Sequence, residues 1–301
     1  HRLTISANRL SRVFAVSGVN RVTLTGMRLT DGNASAGGAI RLVEAALLVS
    51  GCEISNSRAG FGGGILANAS TPSPDLRIYD SSIIGNVADD NGLPVNAGGI
   101  LANGSVKLVR VTVSGNHSPA VQGAAGVYSQ FEAPLIEDTT VTGNRGGTSA
   151  GGVATTSGVA LSLRNSVLAG NRTGSGATTD IGGTAVASLG YNLIGDVGGV
   201  TGVFIQPGDQ AGTAASPLDP KLGPLSHNGG TVPVHAPLQG SPLLDKGKTI
   251  GSDARGVARA FDLTSIAPAT GGNNADIGAV EVAPLIVTNT NDSGLGSLRQ
   301  A

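Results

Sequence analysis

The chain has 301 residues and a formal net charge of −1. Only 13% of its residues are charged, against about 25% in ordinary globular proteins, while glycine occupies 48 positions and aromatic residues make up 3%. This composition excludes a bulky aromatic core and the strongly basic surface on which nucleic-acid binding depends. The single cysteine, Cys52, excludes an internal disulfide framework. No apolar run reaches the roughly 18 residues that predict a transmembrane helix.

Six similar phrases recur through the first half of the chain. Each combines apolar residues with a Gly-Asn pair or a close variant of it, and successive phrases lie about 25–30 residues apart, a period typical of stacked repeat proteins. The phrases are Leu29-Thr30-Asp31-Gly32, Ile54-Ser55-Asn56-Ser57, Ile83-Ile84-Gly85-Asn86, Val113-Ser114-Gly115-Asn116, Val141-Thr142-Gly143-Asn144 and Leu168-Ala169-Gly170-Asn171.

Each repeat contains three short strand patterns. Alternating stretches such as Leu76–Tyr79 predict a half-buried strand that places Arg77, and in later repeats Lys107, Ser162 and Arg164, on the outside. The phrase itself is a second strand, and a third begins after a small-residue turn such as Gly63-Gly64. We therefore predict an all-β fold, a right-handed parallel β-helix with three strands per coil. The rival is an antiparallel sandwich, which requires tight hairpins every 8–12 residues or so.

The corner after the second strand is predicted to carry a column of asparagines. Gly and Asn tolerate left-handed backbone angles, and equivalent side chains in stacked coils are able to hydrogen-bond along the axis. The residues expected in this structural column are Asn56, Asn86, Asn116, Asn144 and Asn171.

The composition changes after the repeats. Proline becomes frequent from Pro207 onward, and proline does not serve interior ladder positions of a sheet. We therefore predict coils over residues 1–205, a Pro- and Gly-rich segment over 206–283 that packs on the helix without a core of its own, and a terminal strand segment over 284–301.

A series of short motifs runs from about residue 217 to residue 281. They are Asp219–Leu225, Asn228–Thr231, His235, Gly240–Asp245, Asp253–Arg259 and Asp276–Glu281. In order and spacing they resemble the choice-of-anchor Q region of large exported bacterial β-helix proteins. The repeats at 20–175 are similar to the polymorphic outer-membrane-protein type of β-helix repeat. The resemblance implies an extracellular or bacterial cell-surface protein.

The final residues, Val287–Ala301, resemble the CSLREA-type segment that normally opens such a β-helix, without its leading cysteine. Either the chain is one unit of a tandem array, or this segment caps the next subunit in a head-to-tail filament, since an uncapped sheet edge invites added strands. A capped monomer is the simpler alternative. The residues expected to serve in assembly are Val287, Asn289, Asn291, Leu295 and Leu298.

Candidate catalytic groups are few. A glycosidase needs two carboxylates that flank one bond, and the adjacent acidic pair Asp89-Asp90 lies in a long excursion between strands. A calcium-dependent lyase needs an acidic cluster with a basic side chain, and solvated charges explain the acids of this chain better. The nearest approach to such a lyase site is the set of Asp75, Asp80, Arg77 and Arg110. No catalytic residue, metal ligand or cofactor is therefore assigned.

The remaining ionisable residues receive structural roles. No His-x-x-x-His or Glu-x-x-His spacing occurs, and His235, within the anchor-like motifs, is expected to be a buried hydrogen-bonding residue. Arg–carboxylate pairs are suited to pinning a loop-rich segment. We expect flap salt bridges in which Arg255 or Arg259 pairs with Asp276 or Glu281.

The sequence thus favours a non-catalytic structural or adhesive β-helical module that self-associates end to end, with surface glycans as candidate partners and no nucleic acid or membrane span. The alternative is a carbohydrate-active β-helix enzyme, a polysaccharide lyase or glycoside hydrolase, or a glycan-binding module. Either would use a shallow groove between the excursions at 69–74, 88–97 and 130–134. Fold alone does not decide between these functions.

Overall fold

The computed structural model describes residues 2–18, 21–68, 73–89, 95–119, 122–148, 150–156, 158–183, 185–198, 200 and 204–283. These residues form strands, turns and loops and contain no α-helix. The strands are β1 (Leu3–Ser6), β2 (Phe14–Ser17), β3 (Arg21–Thr25), β4 (Met27–Thr30), β5 (Asn33–Ala36), β6 (Ile40–Val43), β7 (Ala46–Ser50), β8 (Glu53–Ser55), β9 (Arg58–Phe61), β10 (Ile65–Asn68), β11 (Asp75–Tyr79), β12 (Ser82–Ile84), β13 (Val87–Ala88), β14 (Val95–Asn96), β15 (Ile100–Ala102), β16 (Ser105–Val109), β17 (Thr112–Ser114), β18 (Gln122–Gly123), β19 (Val127–Ser129), β20 (Leu135–Glu137), β21 (Thr140–Thr142), β22 (Val153–Thr155), β23 (Leu161–Arg164), β24 (Val167–Leu168), β25 (Ile181–Gly182), β26 (Val186–Ser188), β27 (Leu193–Ile194) and β28 (Gln210–Ala211).

The strands stack into three long parallel sheets. Sheet A has nine strands in the order β1-β4-β8-β12-β17-β21-β24-β27-β28, sheet B has seven in the order β2-β6-β10-β15-β19-β22-β25, and sheet C has seven in the order β3-β7-β11-β16-β20-β23-β26. Strands adjacent in a sheet come from successive coils and pair in parallel, as in β8, β12 and β17. The predicted parallel β-helix class is confirmed. Two smaller sheets, β5-β9-β13 and β14-β18, lie at the corners.

The core consists of columns of apolar side chains stacked coil on coil. The leading residues of the six phrases occupy one such column in sheet A, and Ile194 of β27 extends it. Each is fully buried, and burial of one such side chain is worth about 1.5–3 kcal/mol. The members of this column are Leu29, Ile54, Ile83, Val113, Val141, Leu168 and Ile194, while sheet B contributes Ile40, Ile65, Ile100, Val127, Val153 and Ile181.

Four asparagines form a continuous ladder inside the corner after sheet A. The side-chain Nδ2 of Asn86 donates to Oδ1 of Asn116 at 3.0 Å, Asn116 donates to Asn144 at 2.9 Å, and Asn144 donates to Asn171 at 2.8 Å. Each Oδ1 of Asn116, Asn144 and Asn171 also accepts the backbone N–H of the preceding member. The ladder therefore satisfies buried backbone donors as well as the amides themselves.

Asn56 lies outside this ladder, contrary to its expected place. Pairing of Ser55 with Ile84 puts Asn56 level with Gly85 and Ser57 level with Asn86. Asn56 is exposed and has a φ of 52°, so it fills the left-handed position that glycine occupies in later coils. Ser57 heads the column instead, because its backbone N–H donates to Oδ1 of Asn86 at 3.0 Å.

The Pro- and Gly-rich segment covers the outer face of sheet A. Leu243 and Ile277 pack with Val167 and Leu193 of the sheet, and the backbone N–H of Ala279 donates to Oγ1 of Thr140 at 3.1 Å. This cover explains why Thr112 and Thr140, which flank the inward-facing column, are buried. The predicted boundary at residue 205 falls slightly early, because Gln210 and Ala211 still pair with Leu193 and Ile194 of the last coil.

Replacement of Asn144 tests the ladder. Asn144→Ala removes an acceptor for two donors of Asn116 and a donor to the carbonyl of Val113. Because these groups are buried, we expect a loss of about 2–4 kcal/mol in the free energy of unfolding, measured by urea denaturation. Asn56→Gly is the matched control and should change that free energy by less than about 1 kcal/mol. Equal losses in the two variants would contradict the register that separates Asn56 from the ladder.

A second pair of variants tests the cover. A Cβ on Gly278, whose φ is +102°, would lie 2.8 Å from Oγ1 of Thr140 and 2.9 Å from Cγ2 of Val167. Gly256, at φ +88°, has open space around the same position. Both Gly→Ala variants carry the backbone cost of a left-handed angle, so only Gly278→Ala should speed proteolytic cleavage within residues 240–283. If residues 240–283 are cleaved no faster in Gly278→Ala than in Gly256→Ala, the cover does not pack against sheet A at Gly278.

Candidate functional site

A shallow groove lies on the outer face of sheet C. It has a volume of about 360 Å³, and strands β3, β7 and β11 supply its floor. Alternate residues of these strands face outward, because the intervening ones fill the core. The groove is lined by Arg21, Ala46, Leu47, Leu48, Ser50, Asp75, Arg77, Tyr79, Asp80 and Arg110. The four charged residues singled out in the sequence as the nearest approach to a lyase site thus line one groove.

The acids of the groove are held in ion pairs. Oδ2 of Asp75 lies 3.0 Å from Nε of Arg77. Asp80 accepts two hydrogen bonds from Arg110, at 2.6 Å from Nε and 3.1 Å from Nη2. The hydrogen bond to Asp80 raises the pKa of Arg110, and the hydrogen bond to Asp75 raises the pKa of Arg77. Both acids of the groove are therefore already engaged by arginine side chains.

The predicted excursions are only partly visible. Residues 69–72 and 90–94, including Asp90, lie outside the described residues. Asp89 pairs with Arg58 of the neighbouring coil, and Oγ of Ser73 donates to Oε1 of Glu132 at 2.6 Å. The excursion at 69–74 therefore contacts the excursion at 130–134, although the two are far apart in sequence.

Metal ligands do not converge in the part of the chain that the structure describes, where no group of three or more His, Cys, Asp or Glu side chains is placed to hold an ion. Cys52 is buried in the core, and burial raises the pKa of its thiol. Among the same residues no helix is long and apolar enough to cross a membrane.

His235 ties the cover to sheet A. Its Nδ1 lies 2.7 Å from the carbonyl oxygen of Gly223, and its Nε2 lies 2.9 Å from Oγ of Ser114 on β17. Nδ1 therefore carries the proton, and Nε2 accepts from the serine hydroxyl. Burial lowers the pKa of His235, which favours the neutral ring that this arrangement needs.

The two arginines of the predicted flap salt bridges, Arg255 and Arg259, have different partners. The side chain of Arg259 is fully buried, with Nη1 3.7 Å from Oε2 of Glu281, and its Nη1 and Nη2 donate to the carbonyls of Asp276 and Gly278. Arg255 pairs instead with Asp253, at 2.7 Å between Nη2 and Oδ2. Asp276 is engaged by the backbone, since its carboxylate accepts the N–H groups of Asp245 and Val282. One predicted pair, Arg259 with Glu281, is thus in contact.

The buried acids of the cover have perturbed pKa values. Burial raises the pKa of Asp276 to about 6 and that of Glu281 to about 7, against the opposing effect of backbone hydrogen bonds and Arg259. Asp180 also has its pKa raised to about 6 by burial. It ends the asparagine ladder, since Oδ1 of Asp180 accepts from Nδ2 of Asn171 at 2.8 Å.

A second polar column escaped the sequence analysis. It lies one residue before the strands of sheet A, where a side-chain oxygen accepts the backbone N–H of the coil before it, as Ser81 does from Cys52 at 3.0 Å. Ser and Thr are so common in this chain that their recurrence at one position gave little signal. The acceptors are Ser81, Thr139, Ser166, Asn192 and Asp209.

The assembly residues Val287, Asn289, Asn291, Leu295 and Leu298 lie outside the described residues, so their role stays a prediction. In comparisons with known proteins, the chain matches no family model, no curated protein and no solved structure.

The raised pKa values predict that stability falls as the pH rises. An acid whose pKa is higher in the folded state than its unfolded value of about 4 stabilises the fold fully below pH ~4 and loses that contribution as the pH passes through the folded value. For Asp180, Asp276 and Glu281 this window ends near pH 6–7. His235 acts in the opposite sense, because its stabilising effect is lost as the pH falls below about 6.5.

Burial also raises the pKa of Asp245. With four such acids against one histidine, we expect a higher melting temperature at pH 5 than at pH 8. The glutamine in Glu281→Gln cannot ionise. The variant should therefore show a smaller difference in melting temperature between pH 5 and pH 8, whatever its effect on absolute stability. Asp219→Asn, at an exposed residue of the cover, is the control and should leave the difference unchanged. A melting temperature that rises from pH 5 to pH 8 would contradict the assignment.

Proposed function

We propose that this chain is a rigid, non-catalytic module of an extracellular or bacterial cell-surface protein, with a structural or adhesive role. The observation that carries the proposal is the continuous register of sheets A, B and C, in which side-chain ladders run from coil to coil through the buried corners. Nine strands at the usual spacing of about 4.8 Å extend over roughly 40 Å. A stack of this kind is a stiff spacer, because bending it breaks backbone and side-chain hydrogen bonds together.

The pairing of surface charges supports a passive role. On the outer face of sheet C, Glu137 lies 3.1 Å from both Lys107 and Arg164, and the groove acids are paired with arginines. These charges neutralise one another along the rod instead of converging on one point. The resemblance to the choice-of-anchor Q and polymorphic outer-membrane-protein families supports an exported location.

End-to-end self-association belongs to the same proposal. Strands β1, β2 and β3 form one edge of all three sheets, and sheet edges accept further strands. Residues 284–301, with their resemblance to an opening β-helix segment, are the proposed added strands. Repetition of this contact from copy to copy would build a filament.

A carbohydrate-active enzyme is the second candidate, favoured by the groove that brings Asp75, Asp80 and Tyr79 together on sheet C. The test is incubation of the purified chain with neutral and acidic polysaccharides, followed by measurement of released reducing ends. The proposed module releases none above a protein-free blank. The opposite result is release of reducing ends by the wild-type chain that is lost in Asp75→Asn/Asp80→Asn and kept in Asp219→Asn. That result would establish an enzyme and overturn the non-catalytic role.

A further inference from the structure

A column of basic side chains follows the asparagine ladder on the outside of the rod. Backbone bridges connect Val87 with His117, His117 with Arg145 and Arg145 with Arg172, and β13 connects Val87 with Arg58. These residues therefore stand level in successive coils, about 4.8 Å apart. Arg145 and Arg172 are exposed and His117 is half-buried.

The two ends of this column differ in how charge is neutralised. At one end Arg58 pairs with Asp89, which lies two residues after Val87. In the next coils the bridges place Pro119, Gly147 and Gly174 level with Asp89, and none of these three residues carries a charge. Among the described residues no carboxylate lies within 4.0 Å of the guanidinium groups of Arg145 and Arg172. Stacked like charges destabilise a sheet, so binding of an external anion would offset the repulsion between Arg145 and Arg172.

Backbone carbonyls orient Arg145 and Arg172, which border two adjoining hollows. Nη2 of Arg145 donates to the carbonyl of Gly174 at 2.9 Å, and Nη1 of Arg172 donates to the carbonyl of Gly176 at 3.1 Å, which leaves other N–H groups of each fork for a ligand. The hollows have volumes of about 440 and 360 Å³ and share Arg145 and Ser175. His117 borders the first hollow, Arg172 and Thr173 border the second, and glycines form much of the remaining lining of both.

We propose that this corner of the rod, centred on Arg145 and Arg172, binds an acidic polysaccharide that carries one carboxylate per sugar. Arginine binds carboxylates through two parallel hydrogen bonds, and the strand spacing of about 4.8 Å suits a polymer whose charges recur at the length of a sugar ring. Serine, threonine and glycine residues line the hollows, and their hydroxyl and backbone groups are suited to hydrogen bonds with sugar hydroxyls. Single-stranded nucleic acid fits less well, because its binding sites rely on aromatic stacking and no Phe, Tyr or Trp side chain lines either hollow.

Binding to immobilised polygalacturonate tests this proposal, with neutral dextran as the reference surface. Arg145→Gln/Arg172→Gln should weaken binding at least tenfold. Arg77→Gln/Arg164→Gln is the matched control, since it removes the same net charge from exposed arginines that already pair with Asp75 and Glu137, and it should stay within twofold of the wild type. Arg145→Lys/Arg172→Lys should fall between them, because lysine keeps the charge without the fork. Circular dichroism melting verifies that each variant folds.

Three results would overturn the proposal. They are equal weakening by the two glutamine double variants, failure of the wild-type chain to bind polygalacturonate above dextran, and tighter binding of the wild type to an oligothymidylate than to polygalacturonate. The site uses neither the groove of sheet C nor the sheet edges. Polygalacturonate cleavage would therefore overturn the non-catalytic role without affecting this site, and loss of binding at this corner would leave the structural role intact.

Discussion

The exact repetition of backbone register from coil to coil is the constraint on which the rest of this molecule depends. Parallel pairing sets each strand directly over the equivalent strand of the last coil, so that every paired strand position becomes a column of equivalent residues. Inside, the columns hold leucine, isoleucine and valine, and at the corner they hold asparagine amides that bond to one another and to the backbone. A buried amide in such a column has all its partners supplied by its neighbours, which is why a polar residue is tolerated there.

The same constraint governs the surface. Like charges in adjacent coils repel, and on the outer face of sheet C acids offset them. Arg77 and Lys107 stand level in adjacent coils and pair with Asp75 and Glu137, and Glu137 also pairs with Arg164. Sheet A avoids the problem by being covered, and its outward threonines become anchor points for the cover, as Thr140 is for Ala279. In the basic column no carboxylate among the described residues pairs with Arg145 or Arg172, and this is the reason for proposing an anion-binding site there.

Much of the fold follows from the sequence because the period is short and the phrases are alike. The leading residues of the phrases, from Leu29 to Leu168, identify the core column of sheet A directly. Coil lengths vary, however, and a shift of one residue separates Asn56 from the ladder that Ser57 heads. The polar column at Ser81 and Thr139 and the level placement of Arg145 with Arg172 depend on how corners of unequal length align. That alignment is a property of the packed structure that local patterns do not specify.

Hydrogen exchange of the side-chain amides, followed by NMR on the labelled chain, tests the stacking most directly. If the coils lie in register, the Nδ2 protons of Asn86, Asn116 and Asn144 are buried and bonded along the axis, and they should exchange at least ~100-fold more slowly than those of exposed Asn56. Exchange of all four amides at one common fast rate would show that the asparagines do not form a column and that successive coils are not stacked in register.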